Sequence, residues 1–266
     1  MPLQAQEDAE LSMVLVMGVT GSGKSFLINK LVGKDVVRES ANMDSCMYYA
    51  MRRRLDPARP NQVLLVDTPG FDDTHRSESE ILEQIAKALA AQYALGMVLK
   101  GIIYLHRNND IRMQGSSMKA LQIFKKLVGD EAFKNVVLAT TRWDLVGEDI
   151  GSEREQELHT KFWAYMMNKG ATMTRFYGDR ASATRILSQL LAKKSIILDI
   201  QREMVDENRP LNKTSAGAII DDGLAARKAE YEQGLRDLED LRRTLLKDDR
   251  EMRRQIQRDW EKEKTR

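Results

Sequence analysis

The chain has 266 residues, 42% apolar and 31% charged, with a formal net charge of +2. That length suits one substantial domain with an appendage, and a charge so near balance offers no whole-molecule field to nucleic acid or a membrane surface. One cysteine, Cys46, permits no internal disulfide and fits a reducing, cytoplasmic compartment; MPLQAQEDAE does not read as a signal peptide, and no run approaches the ~20 apolar residues that span a bilayer.

Met13–Met17 (MVLVM) predicts a short buried strand. GVTGSGKS follows at residues 18–25, and then SFLINKLVG, whose Phe26, Leu27, Leu31 and Val32 mark a helical face closed by Gly33. The basic run Arg52, Arg53 and Arg54, joined by Arg59, reads as a solvated strand end or loop, or as the contact for a phosphate-rich partner. Val63–Val66 (VLLV) predicts a second buried strand, ended by DTPG, and Ile81–Leu99 a long helix. Ile102–Leu105 and Val136–Ala139 predict further buried strands, and Arg175–Tyr177 a weaker one. Between the last two, GSEREQELHTKFWAYMMNKG predicts one amphipathic helix. Continuous apolar strands alternating with helices imply an α/β fold with a parallel sheet covered on both faces.

After Ala181, Ile186, Leu190, Ile197, Ile200 and Met204 recur at helical spacing and predict one more packed helix, before the linker ENRPLNKTSAG. From about Asp221 onward the chain reads as charged helix, with pairs such as Glu232–Arg236 and Glu239–Arg243 at i,i+4. Leu224, Tyr231, Leu238, Leu245 and Met252 recur every seven residues, but the partner positions include Arg227, Gly234, Asp248 and Gln255. This is one narrow apolar stripe, which folds back on the first domain or self-associates as a coiled coil.

Residues 18–25 match G-x-x-x-x-G-K-[ST] between a buried strand and a helix. Glycines let the backbone curl so that the N–H groups of Gly18, Val19, Thr20, Gly21, Ser22 and Gly23 turn towards anionic oxygens, and the helix start running into Phe26 adds its partial positive charge. Lys24 can reach the β- and γ-phosphates, and the Ser25 hydroxyl can ligate Mg2+. Asp67 ends VLLV, where a carboxylate would hold the same Mg2+ directly or through water. Gly70 can bring its N–H to a γ-phosphate because no Cβ keeps the backbone away. TTRWDL follows the strand VVLA. There Asp144 can accept from both N1–H and the 2-amino group of guanine, where adenine offers neither donor. Thr141 belongs to the same box, and Arg142 and Trp143 offer an aliphatic stem and a flat ring, one to cover the base and one to pack below it.

In this order and spacing GVTGSGKS, DTPG and TRWD resemble the first, third and fourth boxes of a translation-factor-type GTPase domain. DTPGFDD with TRWD is similar to the septin-like branch, which contains septins, chloroplast import-receptor GTPases and the immunity-associated (avirulence-induced) GTPases. The last are the nearest match, in particular their fungal relatives carrying TRWD. The resemblance implies a six-stranded, mostly parallel sheet with one antiparallel strand, placed at Ser45–Arg53. It implies GTP or GDP and Mg2+ as cofactors, and a homodimer formed through the nucleotide face in the GTP form. In that frame residues 1–10 are a tail, 11–208 the GTP-binding domain, and 209–266 a linker and long charged helix that would meet a protein effector. A fifth box would contact guanine through backbone groups, either at Tyr177-Gly178-Asp179-Arg180-Ala181, with Gly178 and Asp179, or at Ser182-Ala183.

The residues for hydrolysis are less complete. The family's first switch places a threonine on Mg2+; in MDSCMYYA the aligned residue is Met47, a poor Mg2+ ligand, with Ser45 as the available hydroxyl. Phe71 follows Gly70 and cannot orient water. His75 is the nearest imidazole, and Arg107 and Arg112 in HRNNDIRMQG could reach across a dimer face or make local salt bridges. Two functions therefore stand at this stage: a slow GTPase switch, or a GTP/GDP-binding scaffold without useful hydrolysis that acts through its C-terminal helix.

Overall fold

A computed structural model describes residues 12–34, 47–56, 59–71, 76–113 and 115–221, together with Gln233 and Arg236. The chain divides into two compact units, Met1–Ile219 and Ile220–Arg266. Ser45, His75 and the seven-residue apolar repeat from Leu224 to Met252 lie outside the described residues.

In the first unit the strands are β1 (Ser12–Gly18), β2 (Met47–Asp56), β3 (Arg59–Asp67), β4 (Val98–Arg107), β5 (Val136–Thr141) and β6 (Thr172–Arg175). They form one six-stranded sheet in the order β2-β3-β1-β4-β5-β6. Every pair is parallel except β2 with β3. The antiparallel strand is thus Met47–Asp56 among the described residues, which runs past the Arg53 end of the expected Ser45–Arg53. The helices are α1 (Lys24–Val32), α2 (Glu78–Ala94), α3 (Gly115–Val128), α4 (Glu148–Glu157), α5 (Ala164–Asn168), α6 (Arg180–Leu191) and the short α7 (Asp199–Gln201).

The strand interiors are apolar on both faces, as a sheet covered twice requires. On one face Val14, Val16, Leu65, Ile103, Leu105 and Val137 pack with Leu27, Ile28 and Leu31 of α1 and Ile186, Leu187 and Leu190 of α6. On β4 the Tyr104 ring lies 4.4 Å from Phe124 of α3, and both are buried. Each fully buried Leu, Ile or Phe adds about 1.5–3 kcal/mol of apolar burial. The parallel strands direct their carboxyl ends to one edge, with β1 at the point where the connections turn to opposite sides; ligands of open α/β sheets bind there.

Several boundaries differ from expectation. α2 starts at Glu78, fixed by a reciprocal cap in which Glu80 N–H donates to Ser77 Oγ (3.2 Å) and Ser77 N–H to Glu80 Oε2 (2.8 Å). It stops at Ala94, because the chain turns at Gly96 (φ +73°) and hands Val98 and Leu99 to β4. The single helix expected over residues 151–170 is broken by a π turn at Leu158–Phe162, which buries Trp163 completely. α3 was not anticipated, although Leu121, Phe124 and Val128 recur at helical spacing. The helix expected from Ile186 through Met204 is two pieces: α6 ends at Leu191, Ile196 N–H donates to Leu99 O (2.9 Å), and α7 runs into a second π turn at Arg202–Asp206. The last strand is Thr172–Arg175 rather than Arg175–Tyr177.

The second π turn has a function of its own. Glu203, 7% exposed, accepts from Ser215 N–H (3.0 Å) and Ser215 Oγ (2.6 Å) and so caps the helical residues 215–221. Thr214 Oγ1 accepts from Gly217 N–H (3.1 Å) in the same cap. Glu203→Ala strips Ser215 of both bonds; the expected cost is about 1–3 kcal/mol in urea unfolding, with loss of amide-exchange protection at residues 215–218.

His106 gives the fold a pH dependence. Its ring is buried, edge-on to Trp163 at 6.0 Å. Burial depresses its pKa from 6.5 to about 4; Asp110 opposes the shift and Arg107 adds to it. The unfolded chain therefore binds a proton that the folded chain refuses. Stability from this group is full above pH 6.5 and is lost as pH falls towards 4, by about 3 kcal/mol across that window. Replacing His106 by leucine should flatten the chemical-denaturation midpoint between those two pH values.

Candidate nucleotide site

The loop leaving β1 is shaped by close approaches. A Cβ on Gly18 (φ +142°) would lie 2.4 Å from Leu105 O, and Gly23 (φ +94°) begins α1 in a left-handed conformation. This aims the first-turn N–H groups of α1 out of the protein, where an anion completes them. Lys24 is buried, its ammonium donating to Gly18 O (3.3 Å) and Val19 O (3.1 Å), so that its charge arches over the loop. The loop is clamped to the chain after β3, because Thr20 N–H donates to Phe71 O (2.9 Å).

Gly70 lies against this loop. A Cβ there would sit 2.6 Å from Thr20 N and 2.8 Å from Lys24 Nζ. Gly70→Ala should therefore pry the loop from the β3 segment and weaken triphosphate binding at least about tenfold, read by titration calorimetry, with diphosphate affinity affected less. The Phe71 ring is buried and turned into the core.

Ser25 Oγ donates to Asp67 Oδ2 (2.9 Å). Asp67 Oδ1 is buried and has no hydrogen-bond partner among the described residues. Burial raises the Asp67 pKa, while Lys24 and then Ser25 oppose the rise. A hydroxyl beside a carboxylate with one unsatisfied oxygen fits a hard divalent cation whose other ligands are phosphate oxygens and water.

The base side joins the phosphate side directly. Thr141 Oγ1 donates to Ser22 O (2.9 Å), tying the end of β5 to the phosphate loop. Arg142 then takes a left-handed turn (φ +61°), which buries Trp143 and leaves Arg142 and Asp144 exposed. A cavity of about 320 Å3 opens here, walled by Gly23 and Phe26, by Thr141, Arg142 and Asp144, and by Phe176, Tyr177 and Gly178. That volume lies within the range of small-ligand clefts.

Residues 12–162, more than half of the chain, match the model of the AIG1 family. The chain belongs to the AIG1 family. No curated protein sequence matches it. Among solved structures this AIG1-family protein is similar to Toc33 from Arabidopsis thaliana in complex with Mg2+ and GMPPNP, with a TM-score of 0.58 at 18% identity over 73% of this chain and 90% of that one. It is similar to a structure described under the words that dimerization is important for the GTPase activity of the chloroplast translocon components atToc33 and psToc159, with a TM-score of 0.54 at 18% identity, over 73% and 88% of the two chains. It is also similar to a variant of Era from Aquifex aeolicus bound to GDP.AlF4-, with a TM-score of 0.50 at 16% identity, over 71% and 58%. At such identities the likeness is one of fold: an α/β P-loop GTPase fold.

Within this AIG1-family domain the expected residues fall into two groups. Gly18 to Phe26, Asp67, Gly70, Thr141, Arg142 and Asp144 lie along the carboxyl edge of the sheet, and Gly178 joins them on the cavity wall. Asp179, next after Gly178, caps α6: its carboxylate accepts from Ser182 N–H (2.7 Å), which lowers its pKa, and the bond engages its side chain and not its backbone. Ser182 and Ala183, the other choice for the fifth box, are buried in α6. Arg107 is the cation beside the phosphate loop: its Nη1 stands 3.2 Å from where a Gly21 Cβ would be, and its Nε pairs with Asp110 (3.0 Å). Arg112 is exposed in the segment after β4, where it lines a small cleft with Asp110 and Glu157. The aromatic wall was missed from sequence. The Phe176 ring meets Phe26 at 6.0 Å, Gly178 (φ +80°) brings the backbone to the Phe26 edge, and the signal was the pair Phe176-Tyr177 just past a weak strand.

Proposed function

We propose that this AIG1-family protein is a guanine-nucleotide switch of the septin-like branch, nearest to its fungal TRWD-type members. It binds GTP or GDP with Mg2+, hydrolyses GTP slowly and dimerises through the nucleotide face in its GTP form. Residues 11–208 are the G domain, and 209–266 the linker and helix that meet a protein effector. The observation that carries the reading is the Thr141–Ser22 tether. It sets Asp144 and the phosphate loop on the rim of one cavity, so a single ligand with a purine at one end and phosphates at the other reaches both.

Lys24 and the α1 N-terminus hold the phosphates. Ser25 and Asp67 hold Mg2+, which neutralises charge on the β- and γ-oxygens when bound. Asp144 accepts from guanine, and Phe26, Arg142, Tyr177 and Gly178 enclose the base. The fold relatives support these assignments, being solved with GMPPNP or GDP and Mg2+. By analogy with GTPases that lack a supplied Arg, turnover by the monomer is on the order of 10⁻³ s⁻¹ or lower, and Phe71, next after Gly70, cannot orient water. Arg107 and Arg112 lie on the segment through which a second copy would act. No helix among the described residues is long and apolar enough to cross a membrane.

The scaffold reading, with nucleotide bound but not hydrolysed, draws on one further observation. Met47, a poor Mg2+ ligand by type, opens β2 at the register position opposite Asp67. Single-turnover mixing of purified protein with GTP and Mg2+ separates the two readings: phosphate release supports the switch, and bound GTP left intact supports the scaffold. Calorimetry with guanosine and adenosine nucleotides tests both, and equal affinities would remove them together.

A further inference from the structure

Between the turn carrying Asp144 and the aromatic wall lies one cation, Arg175, which no box motif contains. It closes β6, in register with Thr140 of β5. Its guanidinium lies 3.9 Å from the centre of the Trp143 ring. Glu155 holds it from one side through Nε (2.8 Å) and Nη2 (2.6 Å), Glu148 takes Nη1 (2.5 Å), and Ser152 Oγ accepts from Nη2 (3.1 Å). The Glu155 pair is the shielded one, with side chains 25% and 18% exposed, whereas Glu148 is 68% exposed and adds little.

Trp143 is fixed on its remaining sides. Its Nε1 donates to Thr140 Oγ1 (3.0 Å), whose hydroxyl donates in turn to Glu155 Oε1 (3.1 Å). Its ring edge rests on Gly151, where a Cβ would come within 2.8 Å. Trp143 is the residue before Asp144, and Arg175 is the residue before the Phe176–Gly178 wall. The stacked pair therefore joins the two sides of the cavity.

We infer that Arg175 is a positioning residue for base selection: by stacking on Trp143 and forking onto Glu155, it sets where the Asp144 carboxylate stands against the purine edge. This rests on the guanine-nucleotide reading of the site. A fork held in one plane suits the task, since a flat guanidinium covers an indole and meets a carboxylate with two N–H groups at once. A lysine retains the charge and loses both the plane and the fork.

The test compares guanosine and inosine diphosphates, which differ only in the 2-amino group that Asp144 accepts from. Dissociation constants are measured for the full chain and for Arg175→Met and Arg175→Lys, with folding checked by far-UV circular dichroism. The wild-type protein should prefer the guanosine compound; equal affinities there would refute the guanine reading itself. In the variants the guanosine compound should weaken about tenfold and the inosine compound, which still donates N1–H to Asp144, by only about threefold, so that the ratio between them falls. If both weaken by the same factor, Arg175 only supports the fold, and if neither changes, it has no part in selection; either result overturns the proposal. Should Arg175→Met fail to fold, Arg175→Lys, which keeps the ion pair with Glu155, decides by the same ratio.

Discussion

Asp144→Asn should turn the site from guanine to xanthine. The carboxylate offers acceptors only, and guanine presents two donors, N1–H and the 2-amino group. An asparagine keeps one acceptor and faces the second guanine donor with an N–H of its own. One charge-assisted hydrogen bond is lost, the other becomes neutral, and two donors oppose each other; each such change is worth about 1.5–3 kcal/mol. Guanosine diphosphate should weaken at least about 100-fold. Xanthine carries a 2-oxo group in place of the amine, which the amide N–H can meet, so xanthosine diphosphate should overtake it. Asp144 is exposed and no hydrogen bond among the described residues uses it, so the melting temperature should hold while the preference inverts. Displacement of a fluorescent nucleotide by the two diphosphates gives the ratio. Guanosine affinity equal to wild type would mean that Asp144 does not read the base.

What could be read from sequence and what could not divide along physical lines. Gly18, Gly23, Lys24, Ser25, Asp67 and Asp144 stood out because the expected chemistry dictates their type and local spacing: a curled backbone, a cation, a hydroxyl, two carboxylates at strand ends. The sheet was legible because MVLVM, VLLV and VVLA are too apolar for anything but strands buried twice. The features missed depend on contacts between distant segments. Nothing near Arg175 announces that it will lie over Trp143, because only the β5–β6 register brings them together. Helical spacing ran unbroken from Ile186 to Met204, yet the chain leaves the helix after Leu191 so that Ile196 can pair with Leu99. Trp163 and the π turn before it gave a similar false continuity, since one extra residue in a turn alters no pattern that a window can register.

Lys24→Ala should abolish triphosphate binding, for two reasons that reinforce each other. The first is direct: the buried ammonium is the fixed cation of the loop, and without it the β- and γ-oxygens meet only N–H dipoles. The second acts through Asp67. Burial already raises its pKa, and Lys24 is the largest opposing influence. With the lysine gone that opposition disappears, the carboxyl becomes a weaker acid, and a proton competes better with Mg2+ for it. Phosphate and metal sites should thus fail together. The expected loss is at least about 100-fold for GTP in the presence of Mg2+, larger than for GDP, because the γ-phosphate relies on both. A comparison of GTP affinity with Mg2+ and with chelator separates the two reasons: wild-type protein should show a strong metal dependence, and Lys24→Ala a weaker one. A variant that loses GTP affinity yet keeps the full Mg2+ dependence would show that Asp67 remains ionised without the lysine, and the coupling between the two sites would be wrong.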